Sequence, residues 1–193
     1  MQNLIDLIKS NLSKENLQSR SKKARDWLRR NLKTLRVIQK NILSATDALF
    51  VGKIIIGKMY FFSYDPKTKE TLPFYDQFPL VIPIEKYSDG FLGLNLHYIS
   101  PTQRIALLSK LYALLNNKNF NETTKLRISY DILSGASRFK EFAPCVKRYL
   151  YPHLRSKIIE IPPSDWEIAV FLPTERFVGA TSAKVQRLSA QEF

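Results

Sequence analysis

Apolar residues in the first 44 positions recur every three or four residues, which is the spacing of one helix face. Leu4, Ile5, Ile8 and Leu12 mark a first face. Trp27, Leu28, Leu32, Leu35, Ile38, Ile42 and Leu43 mark a second, over a stretch from about Ser21 to Leu43. No Gly or Pro interrupts this region. From Lys53 the texture changes to β-branched and aromatic runs, beginning with KIIIGKMYFFSY, and these predict strands. Asp65-Pro66 sets a turn. Pro73, Pro79 and Pro83 fall close together, so the strands around them are expected to be short or at sheet edges. Ser88-Asp89-Gly90 predicts a hairpin turn between Leu80–Glu85 and Phe91–His97. Residues 53–99 therefore read as a small antiparallel sheet or a compact barrel.

The helical period returns at Ser100, which suits an N-cap, with Pro101 at the first helical position. Ile105, Leu108, Leu111, Tyr112 and Leu115 make one apolar face, and Asn116-Asn117 ends it. A further helix is expected after Asn121, and Ser137–Tyr151 reads as a short helix on either side of Pro144. Ile158–Ile161 reads as extended. Ser164-Asp165-Trp166-Glu167 has the spacing of a capping box, opening a helix that runs to about Phe171 and stops before Pro173. The expected fold is α+β: the sheet or barrel, C-terminal helices and a basic helical N-terminal arm. The expected division is an arm at 1–50, a core domain at 51–173 and a peripheral tail at 174–193.

Charge sharpens the picture of the arm. The chain carries 30 Lys and Arg against 17 Asp and Glu, a formal net charge of +13. Eleven of those cations and only three of the acids fall within residues 1–44. Lys22, Lys23, Arg25, Arg29, Arg30, Lys33, Arg36 and Lys40 lie between the apolar positions of the second helical stretch. A basic face on an otherwise apolar helix suits phosphate groups, and it would hold a nucleic acid in place without reading its sequence. These eight are the candidate DNA-binding residues, chosen on charge alone. The same pattern also fits a helix that docks by its apolar side with its charges merely solvated.

Other chemistry finds little support. His97 and His153 stand alone in sequence, and Cys145 has no CxxC partner, so no metal ligand set is expected. Cys145 reads as a small buried apolar residue. The six glycines form no phosphate-binding loop, and no cofactor is expected. Asp65, Glu70 and Asp76, with Lys67 and Lys69 among them, are of the types that metal-dependent nucleases use, but they equally make ordinary turns. Tyr60, Phe61, Phe62, Tyr64, Phe74, Tyr75 and Phe78 could stack on bases but fit a strand core better. Asp6 interrupts the first apolar stretch, so the start does not read as a signal peptide. No run is long enough to span a membrane, and no membrane partner is expected.

Four strings together resemble a known family. They are GKMYFFSYDPKTKETLPFYDQFPLVIPI, GFLGLNLHYISP, SRFKEFAPCVKRYL and LPTERF, spread over Gly57 to Phe177. They are similar to the DNA end protector (head completion) proteins of T-even-type contractile-tailed bacteriophages. The arm resembles that family only in its basic helical character around Arg25-Asp26-Trp27-Leu28. The resemblance implies a non-enzymatic virion protein in few copies, seated on the ends of packaged double-stranded DNA near the head–tail junction. It implies other phage head, neck or tail proteins as neighbours, and protection of the DNA from host exonuclease in the host cytoplasm after injection. It supplies no catalytic residues. The rival expectation is a structural neck, tail or baseplate subunit that docks through the apolar side of its arm.

Overall fold

A computed structural model of the chain describes residues 4–17, 22–31, 49–115, 118, 119, 121, 131, 132, 135 and 140–191. In chain order these hold α1 (Leu4–Lys14), α2 (Lys22–Asn31), β1 (Leu49–Val51), β2 (Met59–Phe61), β3 (Tyr75–Asp76), β4 (Leu80–Tyr87) and β5 (Gly90–Asn95). They continue with α3 (Pro101–Leu115), β6 (Val146–Leu150), β7 (Ile158–Ile161), α4 (Trp166–Phe171), β8 (Phe177–Val178) and α5 (Ser182–Gln191). Short 3₁₀ turns occupy Leu96–Tyr98, Lys140–Cys145, Tyr151–His153 and Pro163–Asp165.

The fold is mixed α+β. Six strands pair in the order β1-β7-β2-β4-β5-β6, and β3 pairs with β8 in a separate two-stranded sheet. Every pairing is antiparallel. The large sheet is open, with β1 and β6 at its edges, so the barrel alternative does not hold. The expected sheet region supplies only β2, β4 and β5 of it; β1, β6 and β7 come from outside residues 53–99.

Alternation along the strands sorts their side chains into two layers. One face carries Met59, Phe61, Leu80, Ile82, Ile84, Leu94, Ile159 and Ile161. It packs on Leu107, Leu108 and Leu111 of α3, on Trp166, Ala169 and Val170 of α4, and on Val185 of α5. The opposite face carries Tyr60, Phe62, Val81, Phe91 and Tyr149, joined by Ile54 and Tyr64. Phe62 meets Phe91 and Tyr149 edge-on at centroid distances of 6.0 and 5.4 Å. Burying each such side chain stabilises the fold by roughly 1.5–3 kcal/mol, and a one-residue slip would exchange the two sets. Register is therefore strongly specified. Val185, within the segment expected as a tail, is fully buried in the main core.

The prolines and glycines sit where strands need them. Pro83 lies at the β-bulge in β4, beyond the two residue pairs that join β4 to β2, so its missing N–H breaks no ladder there. A Cβ at Gly90 would stand 1.9 Å from the Tyr149 carbonyl oxygen, so only glycine lets β5 and β6 approach this closely.

Two local readings are corrected by tertiary context. Residues 140–145 form a 3₁₀ turn around Pro144, and Val146–Leu150 is strand β6 rather than helix. Proline blocks helix propagation, and the edge of β5 offers partners from Gly90↔Leu150 to Leu94↔Val146. The capping box at Ser164 does not form as expected. Pro163–Asp165 is a 3₁₀ turn, and the Ser164 hydroxyl donates to Asp165 Oδ1 at 2.9 Å instead. The helix that follows still ends at Phe171. A box forms elsewhere: at α3 the Gln103 N–H donates to Ser100 Oγ, and the Ser100 N–H donates to Gln103 Oε1.

Arg104 ties these layers together. It is buried on α3, and it donates to the carbonyls of Ile99 (3.1 Å), Val170 (3.1 Å) and His97 (3.3 Å). Burial pushes its pKa down, but three carbonyl acceptors hold the guanidinium in place. Arg104→Met would strand those carbonyls and is expected to cost about 2–4 kcal/mol in urea unfolding. A loss within ~0.5 kcal/mol would show that Arg104 does not join the layers.

Burial also raises the hydroxyl pKa values of Tyr60, to about 12, and of Tyr64 and Tyr149. The folded state therefore favours the neutral phenol, whereas the unfolded chain ionises near 10.0. Stability from these groups is complete below pH 10 and is lost as pH rises from there towards 12. The urea midpoint should hold steady up to about pH 10 and fall above it; a flat midpoint across that window would contradict the buried phenols.

Candidate nucleic-acid interface

The arm begins as two helices folded back on the core rather than as one continuous rod. α1 ends at Lys14, and Asn16, at φ 51, takes the left-handed conformation that lets the chain turn away. Ile8 and Leu12 of α1 and Ala24 and Leu28 of α2 are buried at helical four-residue spacing. They pack on Ile168, Phe171 and Leu172, with Trp27 and Ile105 alongside. Lys9 Nζ reaches Asp165 Oδ1 at 2.7 Å and fixes the start of α1 beside α4.

This packing fixes which side of α2 faces inward. Lys22, Lys23, Arg25, Arg29 and Arg30 all fall on α2, around the helix from its buried positions 24 and 28. At 3.6 residues per turn, positions 22, 23, 29 and 30 lie on the arc away from that buried pair, with Asp26 among them, and position 25 lies to one side. Lys23 is exposed. Lys33, Arg36 and Lys40 lie outside the described residues.

The acidic candidates do not converge. Asp65 pairs with Lys69 Nζ at 3.1 Å and with Arg155 Nη2 at 3.3 Å. Chiefly its hydrogen bond to Lys69 lowers the Asp65 pKa. Asp76 is turned inward, away from Glu70, which is exposed. Among the described residues no three His, Cys, Asp or Glu side chains are placed to share a metal ion.

Asp76 instead anchors a buried polar line. Its Oδ2 accepts from Asn95 Nδ2 at 3.1 Å and faces His97 Nδ1 at 2.7 Å; its Oδ1 accepts from the Phe78 and Arg176 N–H groups. The carboxylate needs a donor, so His97 Nδ1 carries a hydrogen, and its Nε2 faces the Thr174 hydroxyl at 3.1 Å. Carboxylate, imidazole and hydroxyl stand in the order of a nucleophile relay. Their residues are, however, only 4%, 0% and 3% exposed, which leaves the hydroxyl no route to a substrate. His97 is a structural residue, and His153 Nδ1 likewise faces a backbone oxygen, that of Asp65, at 2.9 Å.

Sequence reasoning missed a second basic group. Lys147 and Arg148 fall on β6, inside the segment read as helix, so their neighbours were hidden. Lys147 Nζ lies 4.4 Å from the ring centroid of Tyr98, and the Arg148 guanidinium lies 3.9 Å from that of Tyr87. Arg148 also pairs with Asp89. The one available signal was the alternation in Val146-Lys147-Arg148-Tyr149-Leu150.

Together these features define a basic α+β protein with much of its charge carried on helices anchored to its core. The chain belongs to the phage T4 terminal DNA protecting protein family, whose model matches residues 3–193. No curated protein and no solved structure shows a significant match. No helix among the described residues is long and apolar enough to cross a membrane.

Cys145 is fully buried, and its thiol donates to the Phe142 carbonyl at 2.9 Å. Burial pushes its pKa up to about 12, so it remains a thiol at neutral pH. A thiol-specific reagent is expected to modify it only as fast as the protein unfolds. Rapid modification of the native protein would show that the core opens locally at this site.

Proposed function

We propose that this protein is a non-enzymatic virion component that binds the ends of packaged double-stranded DNA and shields them from host exonuclease. In this reading it acts in head completion near the head–tail junction, beside other phage head, neck or tail proteins. The observation that carries the reading is the way α2 is mounted. Its apolar positions Ala24 and Leu28 are already committed to Ile168 and Phe171 of the same chain. The helix so mounted carries Lys22, Lys23, Arg25, Arg29 and Arg30 in its sequence, and Lys33, Arg36 and Lys40 continue the basic run in sequence. Such residues neutralise phosphates without reading bases, which suits a terminus of any sequence. Membership of the terminal DNA protecting family supports the same partner. The internal use of Leu28 counts against the rival subunit that would dock on neighbours through this stripe.

The protein should slow digestion of linear duplex DNA by a processive exonuclease. Changing Lys22, Lys23, Arg29 and Arg30 together to Ala should weaken binding to every duplex sequence alike. It should also make the log–log salt dependence shallower by about 3–4, one step of ~0.9 for each phosphate that the variant no longer neutralises. Equal digestion with and without saturating protein would overturn the proposal.

A further inference from the structure

A basic helix holds duplex DNA anywhere along its length, so it does not explain a preference for ends. A feature built from other elements, the Lys67–Thr71 turn and strands β3 and β6, is suited to that task. A cavity of about 360 Å³ opens between the turn at Lys67–Thr71 and strands β3 and β6. That size lies at the lower end of small-molecule sites, on the scale of one nucleotide and far below that of a duplex.

Its walls are aromatic. Tyr64, Tyr98 and Tyr149 are largely buried, with Tyr64 and Tyr149 in edge contact at 4.9 Å, so they form a fixed floor. Phe74 and Tyr75 are half-buried and line the same space. Phe74 is held in position by Tyr98 at 6.1 Å and Phe177 at 6.3 Å. Its rim is cationic. Lys147 sits over the Tyr98 ring, and Lys67 stands exposed on the turn, in no ion pair among the described residues. Asp76 also borders the cavity, but its carboxylate is occupied by four donors, two N–H groups and the side chains of Asn95 and His97.

Rings that can take a base on their faces, beside cations that can take a phosphate, are the parts of a nucleotide site. We propose that this cavity receives the unpaired terminal nucleotide of a DNA strand, its base against Phe74 and Tyr75 and its phosphate against Lys67 and Lys147. The assignment rests on the end-binding reading above and adds the element that separates an end from the interior of a duplex. The last base pair loses only one stacking neighbour when it opens, whereas an interior base must leave two. Stacking on a ring is tolerant of sequence, so any terminus fits.

The full-length protein is titrated with a 5′-phosphorylated dinucleotide while backbone amide resonances are followed. A dinucleotide has too few phosphates to be held tightly by charge alone. Shifts are expected at the Lys67–Thr71 turn, β3 and β6. In parallel, the Lys67→Ala/Tyr75→Ala double variant is compared with the unaltered protein on linear duplex with frayed ends and on covalently closed circular duplex. Affinity for the linear form should fall roughly tenfold, and affinity for the circle should stay within about twofold, as removal of one stacking partner and one phosphate partner requires. Tyr75→Phe should retain the linear affinity. Lys67→Ala alone lies on an exposed turn and should show part of the same loss with an unchanged unfolding midpoint. Dinucleotide shifts confined to α2, shifts nowhere, or equal losses on both DNA forms would each overturn the proposal. If dinucleotide shifts map to the cavity while the unaltered protein binds neither duplex, the end-protection reading fails and the nucleotide site stands. If both duplexes bind equally and the cavity shows no shifts, the site fails and duplex binding stands.

Discussion

The contact between Asp76 and His97, 2.7 Å long and closed to solvent, holds the remaining parts of the fold in relation to one another. A buried carboxylate is costly unless its oxygens are fully engaged. Here the donors that engage it come from widely separated stretches: Asn95 at the end of β5, His97 in the turn after it, and the Arg176 N–H beside β8. Those contacts fasten the small β3–β8 sheet to the end of β5. The His97 carbonyl in turn accepts from Arg104 of α3 and Gln186 of α5. One backbone position therefore gathers both sheets and two helices, and the carboxylate beside it makes any other arrangement of them unfavourable.

The arm depends on that frame at one remove. Its two helices rest on α4, and α4 is located by Arg104 through the Val170 carbonyl and by Trp166, whose indole N–H donates to the Ile161 carbonyl at 2.9 Å. The charged helix is thus mounted on an element fixed to the sheet. Mounting fixes the backbone of that helix, so a partner meeting it need not order this stretch of chain.

Much of this was legible from the sequence wherever a local rule and the tertiary context agree. The Ser100-Pro101 start of α3, the Ser88-Asp89-Gly90 hairpin and the four-residue spacing of Ile8 with Leu12 follow from turn chemistry and period, and each is present. β6 was missed because Val146-Lys147-Arg148-Tyr149-Leu150 is too short to outweigh a helical reading, and only the free edge of β5 decides it. Asp76 and Arg104 were hard to read for a different reason. A charged residue in an apolar neighbourhood looks like a solvated one until its partners, here up to a hundred positions away, are known. The same holds for the cavity, where Lys67 and Lys147 meet only through the fold. The basic character of α2 needed no partner to be seen, because charge density is a property of the sequence itself.

β6 has one further consequence. It is an outer strand of an open sheet, and such strands invite pairing with the backbone of another chain. Lys147 and Arg148 occupy adjacent positions of this strand, so each of its two faces carries a cation. Two copies approaching edge to edge would bring their Lys147 and Arg148 side chains together in a space that must lose its water, with Asp89 answering only Arg148. Charge of this kind on an edge strand works against pairing with a second copy of the same strand.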